Sequence, residues 1–323
     1  FFFFFFFFFF FAAQYWGTRT MIRLVLALPY PAAVTLGRVV GLVLYAVLPL
    51  RRRIVTVQMR TALGTENVRP LAIKVFMNQG VILVDTVRYA YLSDRELRRR
   101  IAIEGKEHLD RAVSSGRGIM MTTGHIGNWE ILSHLPRLLP IRFCVMADVR
   151  KDARLESIID GIRSRSGATI LPPKGKALML IKELRKGNTI GMVIDQRGRR
   201  RDGLFCEVFG MPAPTNPAPA FIAVKGQALV LPVYAIREGQ GYRIRFEEPV
   251  DACSFGQGEA AIRDLSEFMQ AWATSVVRQY PDQWFWLHSR WIRRSTMKKV
   301  LEEGRDFREF VLAQEHGAGR KAQ

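Results

Sequence analysis

Apolar positions dominate the first stretch of readable chain. From Ile22 to Leu50 nearly every residue is apolar, broken by Arg23, Arg38 and prolines 29, 31 and 49, and closed by Arg51-Arg-Arg53. This pattern predicts an anchor helix around Pro31–Leu48 that enters or crosses a membrane, with Arg51–Arg53 at the cytoplasmic phosphate layer. Arg38 divides the stretch, and at a bilayer centre it costs about 2.5–3.5 kcal/mol. The competing reading is a helix packed onto the rest of the protein. Residues 56–100 read as helical, with Phe76, Ile82, Leu83, Val87 and Tyr89 at helical intervals. Beyond them, short apolar or β-branched runs alternate with amphipathic segments. Strands are expected at Ile103–Asp110 (with a turn), Gly118–Thr123, Arg142–Ala147, Ala168–Leu171, Thr189–Ile194 and Ala228–Ile236. Helices are expected from Asn128, over Leu155–Ser166 and Ala177–Lys186, and around Ala261, Leu265, Phe268, Met269, Trp272 and Val276. Strands alternating with helices predict an α/β fold, a mostly parallel mixed sheet flanked by helices on both faces. Tyr242-Arg-Ile-Arg-Phe246 alternates polar and apolar, as an exposed-edge antiparallel strand does.

No internal repeat or flexible linker divides the chain. The expected organisation is a leader over 1–20, a hydrophobic anchor over 21–53, one domain over 54–305 and a frayed tail over 306–323. Eleven phenylalanines open the sequence. They are too few to span a bilayer as a helix, which needs about 20 residues. Met21 is a plausible native start, so residues 1–20 read as a translation artefact; a genuine run of this kind would lie in lipid.

At 323 residues with 49% hydrophobic side chains, the chain can bury a substantial core. Forty-eight Lys+Arg against 29 Asp+Glu give +19, which calls for an anionic partner: nucleic acid, anionic lipid, phosphorylated glycolipid or an acidic carrier protein. Cys144, Cys206 and Cys253 show no paired framework and no metal spacing, and the five histidines (108, 125, 134, 288, 316) are scattered. A reducing compartment, no bound metal and no cofactor are expected.

The chemistry concentrates in Gly124-His-Ile-Gly-Asn-Trp-Glu130, directly after the strand Gly118–Thr123. His125 falls in a strand-to-helix turn, where α/β folds carry reactive groups. Glu130, in the first helical turn, is expected to fold back, fix one imidazole tautomer and stabilise the imidazolium. Gly124 and Gly127 lack a Cβ, which lets a bulky acceptor approach the backbone. Such acid–base catalysis is worth roughly 10²–10⁴ in rate. On spacing alone, a capped helix with a structural histidine explains the string equally well.

The wider pattern resembles the late lipid A acyltransferases, a branch of the lysophospholipid acyltransferase superfamily marked by His, four residues and an acid. The resemblance rests on Ile103-Glu-Gly-Lys-Glu-His-Leu109 followed by Gly118–Glu130, on Gly191-Met-Val-Ile-Asp195-Gln196, on Phe209-Gly210-Met-Pro-Ala-Pro-Thr215, on Leu231-Pro232 and on Pro281-Asp-Gln-Trp-Phe-Trp286-Leu-His-Ser-Arg290-Trp291. It covers about residues 30–295 in order, departing at Asp85, Ala153 and Ala218. It implies a glycerolphosphate-acyltransferase-like fold, and it makes Asp195 a strand-end motif position that orients its neighbours, with a structural cap as the plain alternative.

Basic and polar residues fill out the candidate site. Arg163 and Arg165 are suited to bind phosphate bidentately, Lys174 and Lys176 follow on a turn, and Arg197, Arg199, Arg200 and Arg201 come straight after Asp195-Gln196. All are expected near the strand ends on the His125 side, as a cationic rim; a solvated basic surface is the bland alternative. Asn128, Arg163, Arg165, Asp195, Gln196, Arg197 and Thr215 are the expected substrate-binding set. The Thr215 hydroxyl suits a helix cap better than a ligand. Trp284, Trp286 and Trp291 with Arg290 read mostly as packing and interface placement.

The expected activity is acyl transfer from an acyl-carrier-protein thioester, or from acyl-CoA, to a hydroxyl of a lipid A precursor, with His125 as base and Glu130 behind it. No Gly-x-Ser-x-Gly elbow is present, so direct attack without an acyl-enzyme is expected. The expected partners are acyl carrier protein, a glycolipid acceptor and an anionic membrane, at the cytoplasmic face of a bacterial inner membrane. Alternatives are a lysophospholipid, phosphoinositol mannoside or aminolipid acceptor, a catalytically silent membrane-bound partner, and a nucleic-acid-binding protein. Against the last, no recognition motif accompanies the charge.

Overall fold

The computed structural model describes residues 11–146, 153–171, 176–199 and 204–318. Its strands are β1 (Ile101–Glu104), β2 (Ile119–Thr123), β3 (Phe143–Met146), β4 (Thr169–Leu171), β5 (Thr189–Val193), β6 (Phe205–Val208), β7 (Met211–Pro214), β8 (Leu229–Glu238), β9 (Gly241–Phe246) and β10 (Val250–Asp251). The main sheet runs β1-β9-β8-β2-β5-β3-β4, with β10 antiparallel to the start of β8; β6 and β7 form a separate hairpin. From β8 through β2, β5 and β3 to β4 all pairings are parallel. β9 returns antiparallel to β8, so the sheet is mixed and mostly parallel, as the alternation of elements predicts.

The helices are α1 (Phe11–Ala27), α2 (Tyr30–Val47), α3 (Pro49–Leu63), α4 (Arg69–Ala90), α5 (Asp94–Arg100), α6 (Lys106–Ser114), α7 (Leu135–Leu138), α8 (Ala153–Arg163), α9 (Lys176–Arg185), α10 (Ala218–Gly226), α11 (Gly258–Gln279), α12 (Arg294–Glu302) and α13 (Phe307–Ala318). Side chains along each strand alternate between two cores, following the period of two. Ile119, Met121, Leu231 and Val233 meet Leu97, Leu109 and Leu135 on one face. Met120, Ile190 and Val230 meet Leu180, Leu184, Ala223, Leu265 and Met269 on the other. Buried on both faces, β2 has no exposed position, which is why its sequence reads as a continuous apolar run.

Several local expectations are corrected. The short strand expected at the start of Ile103–Asp110 is present to Glu104, and at the turn expected after it Gly105 (φ +66°) leads the chain into helix α6. Tyr242–Phe246 is not an edge: β1 pairs alongside it, parallel and in register from Ile101↔Tyr242 to Glu104↔Arg245. The helix expected from Asn128 is a 3₁₀ segment over Trp129–His134 that passes into the short α7, with Pro136 in its first turn. The chain after Arg305, expected to fray, forms α13 and buries Phe307 and Val311 in the core. At the other end α1 runs across residue 21 without a break.

By length and composition α2 and α4 are both apolar enough to cross a membrane. α4 is mostly core, and α2 lies along it through a glycine seam. A Cβ on Gly37 would stand 2.7 Å from the Gly80 carbonyl oxygen, and one on Gly41 would stand 2.2 Å from that of Phe76. The opposite face of α2 exposes Val39, Leu42, Val43 and Val47. α2 is therefore a candidate anchor docked on the domain. Arg51, expected at a phosphate layer, donates instead to the Leu287 carbonyl at 2.8 Å.

Candidate active site

Register builds the site. Thr123 of β2 is the partner of Val193 in β5, so two further residues along each strand bring His125 and Asp195 to the same level. Asp195 is fully enclosed. Its Oδ1 meets His125 Nδ1 at 2.7 Å; its Oδ2 accepts from the His125 backbone N–H and the Trp284 indole N–H, both at 2.7 Å. Burial alone pushes this carboxyl up. The His125 ring, by charge and hydrogen bond, then His288 and the Trp284 N–H outweigh that effect and hold it well below the ordinary aspartate range.

A carboxylate on Nδ1 fixes the proton there and leaves the lone pair on Nε2. The exposed side chain of Gln196 meets that nitrogen, Nε2 to Nε2 at 3.2 Å, and its amide donates to the lone pair. Nδ1 is thus the held nitrogen of the ring and Nε2 the one that can accept a proton. The ring-orienting part expected of Glu130 falls to Asp195, because the neighbouring strand, not the following helical turn, reaches Nδ1. Glu130 is half-buried at the start of the 3₁₀ segment, beside Trp129.

The turn carrying His125 is clamped by the C-terminal signature. The Phe285 N–H donates to the His125 carbonyl at 2.9 Å, and the Gly127 N–H donates to the Gln283 carbonyl at 2.8 Å. Gly127 has φ +56°, and a Cβ there would lie 1.9 Å from the Ala235 carbonyl oxygen. A Cβ on Gly124 would stand 3.1 Å from Asp195 Oδ2. Both glycines make room for the protein's own packing, not for the acceptor expected from sequence.

Asn128 is buried beneath this turn. It meets the Tyr242 hydroxyl and Thr86 Oγ1, each at 3.5 Å, and Tyr242 donates to the buried Asp85 at 2.6 Å. Asn128 supports the turn from below. Around the base, Trp129 lies 4.5 Å from the His125 ring, Phe285 lies 6.0 Å away and His288 lies 6.4 Å away. Burial, before any charge effect, lowers His288 to about 4, so this second ring is neutral.

The other expected site residues divide. Arg197 follows the Asp195 strand end, bridges to Thr215 and donates to the Gly198 carbonyl; burial, then the Arg293 charge, lower its pKa. Arg163 and Arg165 are a correction. They precede β4, and in a parallel sheet the chain leading into a strand lies at the edge opposite the His125 end. Arg163 is buried and paired with Glu156 at 3.4 Å and Asp160 at 3.8 Å. Arg165 lies over the Tyr91 ring at 4.3 Å. Lys174, Arg200 and Arg201 lie outside the described residues.

Thr215 is also corrected. Its hydroxyl donates to the Ala213 carbonyl and accepts from Arg290 Nη2 at 2.8 Å, while Asn216 Oδ1 takes the Ala218 N–H at the start of α10. Arg290 is fully enclosed, donating also to the Pro214 carbonyl and Gln270 Oε1; Gln270 Nε2 in turn holds the Ile194 carbonyl, one residue before Asp195. Trp284, Trp286 and Trp291 are core, each less than 3% exposed, and not at an interface. Sequence reasoning missed Trp284 as a donor to Asp195 and Trp129 as a wall of the base. The spacing Trp284-x-Trp286 inside a dense motif was the available signal for the first.

A histidine held through Nδ1 by an enclosed carboxylate thus stands at the C-terminal edge of a mostly parallel sheet. Residues 10–293 match the family model described as bacterial lipid A biosynthesis acyltransferase, and the chain belongs to that family of acyltransferases. It is 25% identical over 214 residues to phosphatidylinositol mannoside acyltransferase of Mycobacterium tuberculosis, covering 64% of this chain and 66% of that enzyme, slightly under two thirds of its length. It is 26% identical over 298 residues to the lipid A biosynthesis lauroyltransferase of Escherichia coli K12, covering 87% of this chain and 93% of that enzyme. The palmitoleoyltransferase of the same organism is 23% identical over 283 residues, covering 85% and 89%. A crystal structure of the 1-acyl-sn-glycerophosphate (LPA) acyltransferase of Thermotoga maritima aligns with a TM-score of 0.36 at 16% identity, covering 72% of this chain and 96% of that one.

Proposed function

We propose that this acyltransferase moves a fatty acyl chain from an acyl-carrier-protein thioester to a hydroxyl of a lipid A precursor, at the cytoplasmic face of a bacterial inner membrane. The observation that carries the reading is the orientation of His125: Nδ1 on Asp195 and Nε2 beside the exposed side chain of Gln196. The acceptor hydroxyl gives its proton to Nε2, and its oxygen attacks the thioester carbonyl. The C–S bond then breaks, and the leaving thiolate takes the proton back from Nε2. Asp195 stabilises the imidazolium between these steps without itself taking the proton. Glu130 and Arg197 flank the acceptor, and the exposed apolar face of α2 rests on the leaflet that supplies it. The net charge of +19 suits an acidic carrier, a phosphorylated acceptor and an anionic surface alike.

A second acceptor class has a specific observation behind it: a relative that aligns over 214 residues is named for acylating a phosphatidylinositol mannoside. Purified protein assayed with acyl-carrier-protein and coenzyme A thioesters against a phosphorylated glucosamine disaccharide lipid, a phosphatidylinositol mannoside and a lysophosphatidate separates these readings. Transfer to the disaccharide from the carrier thioester supports the first. Transfer to the mannoside alone replaces it with the second, and transfer to neither sugar lipid removes both.

A further inference from the structure

Trp129 stands apart from the other indoles near the site. Trp284, Trp286 and Trp291 are buried, and their N–H groups are spent on Asp195, the Pro281 carbonyl and the Val208 carbonyl. Trp129 is half-buried. Its protein ring contacts are with His125, at 4.5 Å and 67° between planes, and with Phe285, at 6.3 Å. Among the described residues its indole N–H donates to no protein group, yet it is not among the enclosed unpaired atoms. A half-buried indole with an open donor therefore packs beside the ring that takes the acceptor's proton.

Geometry restricts what meets that indole. A hydroxyl delivering its proton to His125 Nε2 brings the carbon skeleton bearing it within reach of a ring only 4.5 Å from the imidazole. The face of an indole carries negative quadrupolar charge. A pyranose presents a flat patch of C–H bonds, weakly positive, bordered by oxygens that accept an N–H. A glycerol backbone has no such flat face. Arg163 and Arg165 do not supply this contact, since they lie at the other edge of the sheet.

We infer that Trp129 is a binding platform for the sugar ring that bears the acceptor hydroxyl, and so selects a sugar-based acceptor over a glycerol-based one. The inference rests on the acyl-transfer reading above and adds the contact that distinguishes acceptors. Trp129 binds; His125 and Asp195 carry out the proton transfer.

The test uses the full chain, Trp129→Leu and Trp129→Phe, with the disaccharide lipid, the mannoside and the lysophosphatidate as probes. Trp129→Leu is expected to raise KM for whichever sugar lipid is used by about tenfold. Trp129→Phe retains a ring face and is expected to raise KM less than Trp129→Leu does. Binding of the sugar lipid is expected to change tryptophan emission in the wild type and to change it less in Trp129→Phe, which gives an answer should Trp129→Leu fold poorly. Unchanged KM with both variants, or an equal loss with lysophosphatidate and sugar lipid, would overturn the platform. Failure of the wild type to acylate any acceptor overturns the transfer reading instead, so the two failures are told apart.

Discussion

His125 and Asp195 are separated by seventy positions in the chain and joined by a 2.7 Å hydrogen bond between Nδ1 and Oδ1. Two adjacent parallel strands, β2 and β5, end at the same level and place them there. The carboxylate accepts three hydrogen bonds in an enclosed position, so its orientation is set before any substrate arrives.

Asp195→Asn replaces a three-way acceptor with a group whose nitrogen must face another donor. The expected result is a fall in kcat of about 10²–10⁴ with KM for the acceptor nearly unchanged, since the tautomer is lost and binding is not. Glu130→Gln is expected to act mainly on acceptor KM. Steady-state kinetics on both variants decide this, and the reverse order of effects would return the orienting part to Glu130.

Acid should weaken the fold above the range where carboxylates titrate. His134 and His288 are both lowered to about 4 from 6.5, burial being the larger cause in each. Between those values the unfolded chain takes up protons that the folded protein does not, so stability falls as pH falls, by up to about 1.4 kcal/mol per pH unit for each ring. Asp195 acts in the same direction, but only below its ordinary value of 3.8. Urea midpoints measured from pH 7 to pH 4.5 should decline, and His134→Gln should flatten the decline. A level profile in the wild type would contradict the buried neutral assignment.

Gly127→Ala should be far more costly than Gly64→Ala, although both glycines have positive φ. A Cβ at Gly64 meets nothing within 4 Å, whereas one at Gly127 would collide with the Ala235 carbonyl oxygen. The expected losses, read by denaturant unfolding, are about 1 kcal/mol at Gly64 and at least ~2 kcal/mol at Gly127. Similar losses at the two sites would show that the His125 turn can move away from β8.

Arg290→Met removes the donor to the Pro214 carbonyl, Thr215 Oγ1 and Gln270 Oε1, three enclosed acceptors. About 3 kcal/mol of stability should be lost, measured by urea unfolding. A change under about 0.5 kcal/mol would mean that these groups find other partners.

The sequence makes the parallel sheet legible because strands buried on both faces leave unbroken apolar runs, as in Ile119–Thr123. His125 is legible because it falls immediately after such a run. Its pairing with Asp195 is not, because register between β2 and β5 is a tertiary property; the resemblance marks Asp195 only as orienting its neighbours, and local reasoning gives the ring to the acid close in sequence, Glu130. Similarly, Tyr242–Phe246 shows the alternation of an exposed edge, and nothing local reveals that β1 covers it. Arg163 and Arg165 look like phosphate ligands until the direction of the strands assigns them to the opposite edge. The enclosed Arg290 is hidden for a related reason, since a charged residue in a sequence is read as surface until its acceptors are located.

Acyl transfer by folded His125→Ala tests the central claim most directly. With a radiolabelled acyl thioester and the acceptor the wild type uses, the account predicts a loss of about 10²–10⁴ in kcat, with a circular dichroism spectrum like the wild type's. Turnover within twofold of wild type would contradict the assignment of His125 as the base.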